Sequence, residues 1–132
     1  MRQALKNRTR VLVVEDHPMV REGLRNLFEA RGYASVITAD DGATAFQLMH
    51  QEHIDAVVTD TQMPRMSGIE LTRRIRADKT LPQPVIIGIS ANGSPSLASE
   101  YKEAGADKFL PKGTPGLPEL AEALLVQRFE NN

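Results

Sequence analysis

Residues Val57–Gly68 read VVTDTQMPRMSG. A short β-branched run leads into one carboxylate, Asp60, and the chain then breaks through Pro64 and Gly68. Such a run fits a strand buried on both faces. A strand that only fills a core does not need a charge at its tip. In an open parallel sheet, however, ligands bind just outside the carboxyl ends of the strands. The stretch therefore predicts a parallel sheet and marks one of its functional positions.

The same pattern recurs on either side. Val11–Val14 is an apolar run, and Pro18 follows where it suits a first helical turn. Val20, Leu24, Leu27 and Phe28 recur at helical spacing up to Gly32. Val36–Thr38 is a weaker strand, Asp40–Gly42 a turn, and Ala45, Leu48 and Met49 a short helix. Ile54–Thr59 is the third strand, and Leu71 and Ile75 mark a helix ending near Asp78. Val85–Ile89 is the fourth strand, introduced by Pro82 and Pro84. A helix with a weak apolar face spans Leu97 to Ala104, and Gly105 suits its C-cap. Phe109 and Leu110 mark a fifth strand; Leu120, Ala121, Leu124 and Leu125 give the last helix its apolar stripe. Five strands alternating with five helices predict an α/β fold, with a parallel sheet, helices on both faces and right-handed crossovers.

Bulk properties set the outer limits. The 132 residues are the size of one domain able to bury its own core. With 41% hydrophobic and 25% charged residues the chain reads as globular. A formal net charge of -1 favours neither nucleic acid nor an anionic membrane. The absence of cysteine excludes disulfides, thiolate metal sites and cysteine nucleophiles, and it fits a reducing compartment. No apolar run is long enough to span a membrane. The basic start MRQALKNRTR has no apolar segment of the signal-peptide kind and reads as a solvated lead-in. The expected division is a lead-in at 1–10, one domain at 11–129 and a tail at 130–132.

Chemistry is expected at the strand ends. Glu15 and Asp16 follow the first strand, Asp60 the third, Ser90 the fourth, and Lys112 comes just past the fifth. Three crowded carboxylates repel one another and raise one another's pKa values, which a divalent cation relieves. Magnesium suits an all-oxygen site with one or two carboxylates. Zinc does not, with no cysteine and with His17 on the helix side. An aspartate beside magnesium, a hydroxyl and an ammonium is equipped to attack a phosphoryl group. No Gly-rich phosphate loop ending in Gly-Lys-Ser/Thr is present, so a nucleotide pocket is not expected. His17 and His53 read as solvated or capping residues, and Met63 and Met66 as packing for the loop.

At these positions the sequence resembles the receiver domain of two-component response regulators. Four stretches carry the resemblance in register: VLVVEDHPMVREGL, VVTDTQMPRMSG, VIIGISAN and AGADKFLPK. It covers Val11 to about Phe129. The resemblance implies a flavodoxin-like (βα)5 fold with strand order 2-1-3-4-5. It implies Asp60 as phosphoacceptor, with Mg2+ held by Glu15, Asp16, Asp60 and the backbone carbonyl of Gln62. Ser90 and Lys112 would assist the transfer, Ser90 and Phe109 would form the switch, and Gln62 and Asn92 would tune the lifetime of the phosphoryl group. The implied donor is a phosphohistidine on a sensor histidine kinase or histidine phosphotransfer protein. The implied output is a change in the surface of the fourth helix, fifth strand and fifth helix, through which phosphorylated copies would dimerise. The domain would be cytoplasmic and would assist its own phosphorylation and dephosphorylation without being a turnover enzyme. Nucleic acid and membrane are not expected partners.

Three departures from the family pattern stand out. Gly113 replaces the proline that usually follows the lysine, which predicts a more flexible loop over 113–118. Phe109 replaces tyrosine and so lacks a hydroxyl, and Ser90 replaces threonine. Two rival functions remain at this level. One is a non-phosphorylated interaction module of the same fold, a pseudo-receiver. The other is a Mg2+-dependent phosphohydrolase, which commonly carries a second acid two residues after its nucleophile, where this chain has Gln62.

Overall fold

The structure is a computed structural model and describes residues 2–130. Eleven elements follow in chain order: α1 (Arg2–Arg8), β1 (Arg10–Val14), α2 (Pro18–Ala30), β2 (Ser35–Ala39), α3 (Gly42–Gln51) and β3 (Ala56–Asp60). They continue with α4 (Gly68–Ala77), β4 (Val85–Ser90), α5 (Pro95–Ala104), β5 (Lys108–Pro111) and α6 (Leu117–Glu130). All strand pairs are parallel, in the order β2-β1-β3-β4-β5. The chain thus moves outward from β1 in one direction, then crosses back to β3 and moves outward in the other. The reversal point lies between β1 and β3, the two strands whose tips carry the acidic residues.

Strand side chains alternate between the two faces, and the sequence of each strand obeys that period. Val11, Val13, Val58 and Ile87 join Phe28 of α2 and Leu117, Ala121 and Leu125 of α6 in one core layer. Leu12, Val14, Val57 and Ile86 join Ala45 and Met49 of α3 and Leu71 and Ile75 of α4 in the other. Each such aliphatic side chain, taken fully out of water, stabilises the fold by about 1.5–3 kcal/mol before entropy is counted. Met63 and Met66 pack against the second layer, as expected of that loop.

Within the stretch read as a solvated lead-in, Arg2–Arg8 forms the helix α1, which has no buried residue, and β1 begins at Arg10. A seven-residue helix is not stable alone, so its support is tertiary. Leu5 packs against the first core layer. Gln3 Nε2 donates to the Gly32 carbonyl at 2.9 Å, and Lys6 Nζ to that of Arg31 at 2.8 Å. Arg2 and Lys6 both pair with Glu122 on α6, at 2.7 and 3.3 Å. The last helix also begins earlier than its apolar stripe, at Leu117, and reaches Glu130. Of the expected tail, Asn131 and Asn132 lie outside the described residues.

Candidate functional site

The site is assembled by strand ends. Glu15 continues the ladder past β1, its N–H donating to the Ala39 carbonyl at 3.0 Å. Its side chain is fully buried. Glu15 Oε1 accepts from the His17 N–H at 3.2 Å, and Oε2 lies 2.8 Å from Lys112 Nζ without a well-aligned hydrogen bond. Burial pushes the Glu15 carboxyl above the usual carboxylate range, an effect that Lys112 only partly offsets and Asp60 reinforces.

Asp60 ends β3 with its side chain nearly buried, and its Oδ1 is 3.2 Å from Lys112 Nζ. Lys112 is held in place by its own backbone N–H, which donates to the Ser90 carbonyl at 2.7 Å. Burial alone would lower the Lys112 pKa; the close carboxylates of Glu15 and Asp60 outweigh it and hold the ammonium above its usual value. Asp16, by contrast, is exposed at the mouth. Carboxylate oxygens of Glu15, Asp16 and Asp60 lie within 4.8 Å of one another. The donors are all oxygen, and one of them is buried without a hydrogen bond. Such a set fits a hard divalent cation of the magnesium class and does not fit zinc.

The remaining predicted positions are more dispersed. Ser90 is buried one residue beyond the Asp60–Ile89 register pair, and its Oγ accepts from the Asn92 N–H at 3.1 Å. Gln62 and Asn92 are exposed on the loops that leave β3 and β4. Phe109 lies half-buried and stacks on Tyr101 of α5, with ring centroids 5.3 Å apart and planes at 19°. Gly113 follows Lys112 at φ 83°, in the left-handed region that favours glycine.

Two arrangements around the site have no counterpart in the sequence reading. The first pins the loop between β3 and α4. Asp41, read as a turn residue, caps α3 by accepting from the Thr44 N–H at 2.8 Å, and it pairs with Arg65 of that loop. Arg65 has a left-handed backbone, φ 69°. Burial would raise the Asp41 carboxyl, but the Thr44 amide and the Arg65 guanidinium outweigh it and hold it below the usual range. The Asp-Gly pair before an apolar period is a cap signal, whereas nothing local names Arg65 as its partner. The second arrangement is the seat of Tyr101, buried against β4. An added Cβ at Gly88 would meet its ring at 2.5 Å, and one at Gly68 would meet its hydroxyl at 2.5 Å. A glycine inside an apolar strand signals close approach by another group, and Gly88 carried that signal.

Fold and site together define a doubly wound α/β domain with an acidic, lysine-bridged pocket at its topological switch point. A family model of the response regulator receiver domain matches residues 11–125. The chain is 33% identical over 103 residues to the chemotaxis protein CheY of Pseudomonas aeruginosa, covering 78% of this chain and 83% of that protein. It is 40% identical over 103 residues to the sensor histidine kinase RcsC of Escherichia coli, covering 77% of this chain and 10% of that protein. The receiver domain of the histidine kinase CKI1 from Arabidopsis thaliana, solved in complex with Mg2+ and BeF3-, superposes with a TM-score of 0.79 at 26% identity, covering 98% and 95% of the two chains. The chain belongs to the response regulator receiver domain family of two-component signalling.

Proposed function

We propose that this domain accepts a phosphoryl group from a phosphohistidine on Asp60, and that Mg2+ is its cofactor. The observation that carries the reading is the pocket: Lys112 Nζ lies 2.8 Å from Glu15 and 3.2 Å from Asp60, beside an oxygen-only donor set spanned by Glu15, Asp16 and Asp60. Glu15, Asp16, Asp60 and the carbonyl of Gln62 would hold the metal. When bound, it supplies positive charge against the carboxylates and the phosphoryl oxygens. An Asp60 Oδ attacks phosphorus, the P–N bond to the donor imidazole breaks, and the imidazole leaves with a proton from solvent. The products are histidine and an aspartyl phosphate, which water later cleaves to aspartate and phosphate.

The chain's own groups have distinct parts in this. Lys112 neutralises charge on the transferred group, and such neutralisation with positioning is most of what phosphoryl transfer requires. Ser90 offers its hydroxyl from the neighbouring strand tip. Gln62 and Asn92, exposed at the mouth, set how readily water reaches the product and hence its lifetime. The donor is a sensor histidine kinase or a histidine phosphotransfer protein. The output is a shift in the surface of α5, β5 and α6, which also serves for a phosphorylation-dependent dimer. Because the phosphoryl group is taken up and lost on the protein itself, the domain is a switch and not a turnover enzyme.

Acetyl phosphate with Mg2+ tests the reading directly. Wild type should gain one phosphoryl group by mass spectrometry and lose it on incubation, while Asp60→Asn should gain none. Equal labelling of the two proteins would overturn the assignment.

A further inference from the structure

We infer that Tyr101 is a positioning residue for the Asp60 loop and links that loop to α5. This rests on the reading of Asp60 as the phosphoacceptor and extends it to a residue outside the pocket. Thr61, the residue after Asp60, is buried, and its Oγ1 donates to the Ile89 carbonyl at 2.8 Å. Its one hydroxyl proton is thereby spent, so at the 2.8 Å contact between Tyr101 Oη and Thr61 Oγ1 the tyrosine is the donor. The result is a directional column, from Tyr101 through Thr61 to Ile89. It joins α5 to the tips of β3 and β4, one residue from Asp60 and one from Ser90.

The column is enclosed. Tyr101 is fully buried, and burial pushes its phenol up to about 12, which keeps the hydroxyl a donor throughout the neutral range. Gly88 and Gly68 leave room for the ring and its hydroxyl: a Cβ on Gly88 would meet the ring at 2.5 Å, and one on Gly68 would overlap the Asp60 carbonyl and meet the Tyr101 hydroxyl at 2.5 Å. Gly68 N–H also donates to the Thr61 carbonyl at 2.9 Å, so the start of α4 is tied to the same residue. On its other side the Tyr101 ring stacks on Phe109. A displacement of the Asp60–Thr61 peptide therefore acts on Tyr101 through a hydrogen bond, and Tyr101 acts on α5 and Phe109 through its backbone and its ring. Phe109 lacks a hydroxyl of its own; the polar connection to the site is made by its stacked neighbour.

Two variants remove the connection while keeping the packing: Tyr101→Phe deletes one hydroxyl and Thr61→Val the other. Each is compared with wild type by amide NMR before and after Mg2+ with beryllofluoride, the full chain being used throughout. In wild type, signals should shift both around Asp60, Gln62 and Lys112 and along residues 95–104 and Phe109. In each variant the shifts at the pocket should persist while those in α5 and at Phe109 fall by about half or more. The double variant should lose no more than either single one, as for residues acting through one shared bond. An α5 response equal to that of wild type in Tyr101→Phe and Thr61→Val overturns the linkage alone. A wild type that shows no response at the pocket overturns the phosphoacceptor reading and the linkage with it.

Discussion

At the scale of single residues, charge placement decides which groups respond to pH. His50 of α3 offers a clear case. Its Nδ1 is 2.9 Å from the Phe46 carbonyl and its Nε2 is 2.8 Å from Asp78, the C-cap of α4. Both ring nitrogens thus face acceptors, an arrangement only the imidazolium satisfies fully. The Phe46 carbonyl first, and Asp78 second, raise the His50 pKa above its usual 6.5. A raised folded-state value means that the clasp between α3 and α4 contributes fully below pH 6.5 and is lost as pH rises through the raised value. An NMR titration of the His50 ring should give a midpoint above 6.5. In Asp78→Asn the midpoint should move down toward it without reaching it, because the Phe46 carbonyl remains. The pocket residues were legible only together: Glu15, Asp16, Asp60 and Lys112 stand at or just past apolar runs, and it is their joint placement at the strand ends of one parallel sheet that sets them apart from caps and surface charges. Tyr101 was not legible, because a tyrosine on a helix with a weak apolar face carries no mark of what it touches.

At the scale of elements, β4 and α5 fit each other through a glycine. The strand VIIGIS has one position without a side chain, and the Tyr101 ring fills it. An Ala at position 88 would place its Cβ 2.5 Å from that ring, so Gly88→Ala should cost about 1–3 kcal/mol by overpacking. Tyr101→Leu, which shortens the intruding side chain, should relieve part of this. In urea unfolding, the double variant should be less destabilised than the sum of the two single variants by about 0.5–3 kcal/mol. Strictly additive costs would show that the two positions do not share space. The strands were predicted closely because a doubly buried strand must be apolar along its whole length, as Val11–Val14 and Val85–Ile89 are. Helix starts were less visible. Leu117–Glu119 and Pro95–Ser96 precede the apolar stripe, and their helical state depends on Ser94 as a cap and on packing that no periodicity records. The helix α1 lay furthest from reach, since its anchors at Arg31, Gly32 and Glu122 are far along the chain.

At the scale of the whole molecule, the pocket is a cost to the fold that a cation can offset. Three carboxylates meet one lysine, and one of those carboxylates is fully buried. Glu15 stands just past β1 and Asp60 ends β3, the strands that flank the switch point, so repulsion between them bears on the domain and not on a loop. A cation that binds the folded pocket and not the unfolded chain stabilises by mass action, about 2.7 kcal/mol at a hundredfold excess over its Kd. Mg2+ should therefore raise the unfolding temperature of wild type by several degrees over the same protein in chelator. Asp16→Asn removes a donor that is exposed and makes no packing contact on which the core depends. It should melt close to wild type in chelator and lose most of the Mg2+ shift. Asp60→Asn should lose it as well, while Glu122→Gln, which loosens α1 at the far end of the fold, should keep it in full. Equal Mg2+ shifts in wild type and in both pocket variants would place the cation elsewhere and leave Glu15, Asp16 and Asp60 as a cluster that only Lys112 neutralises.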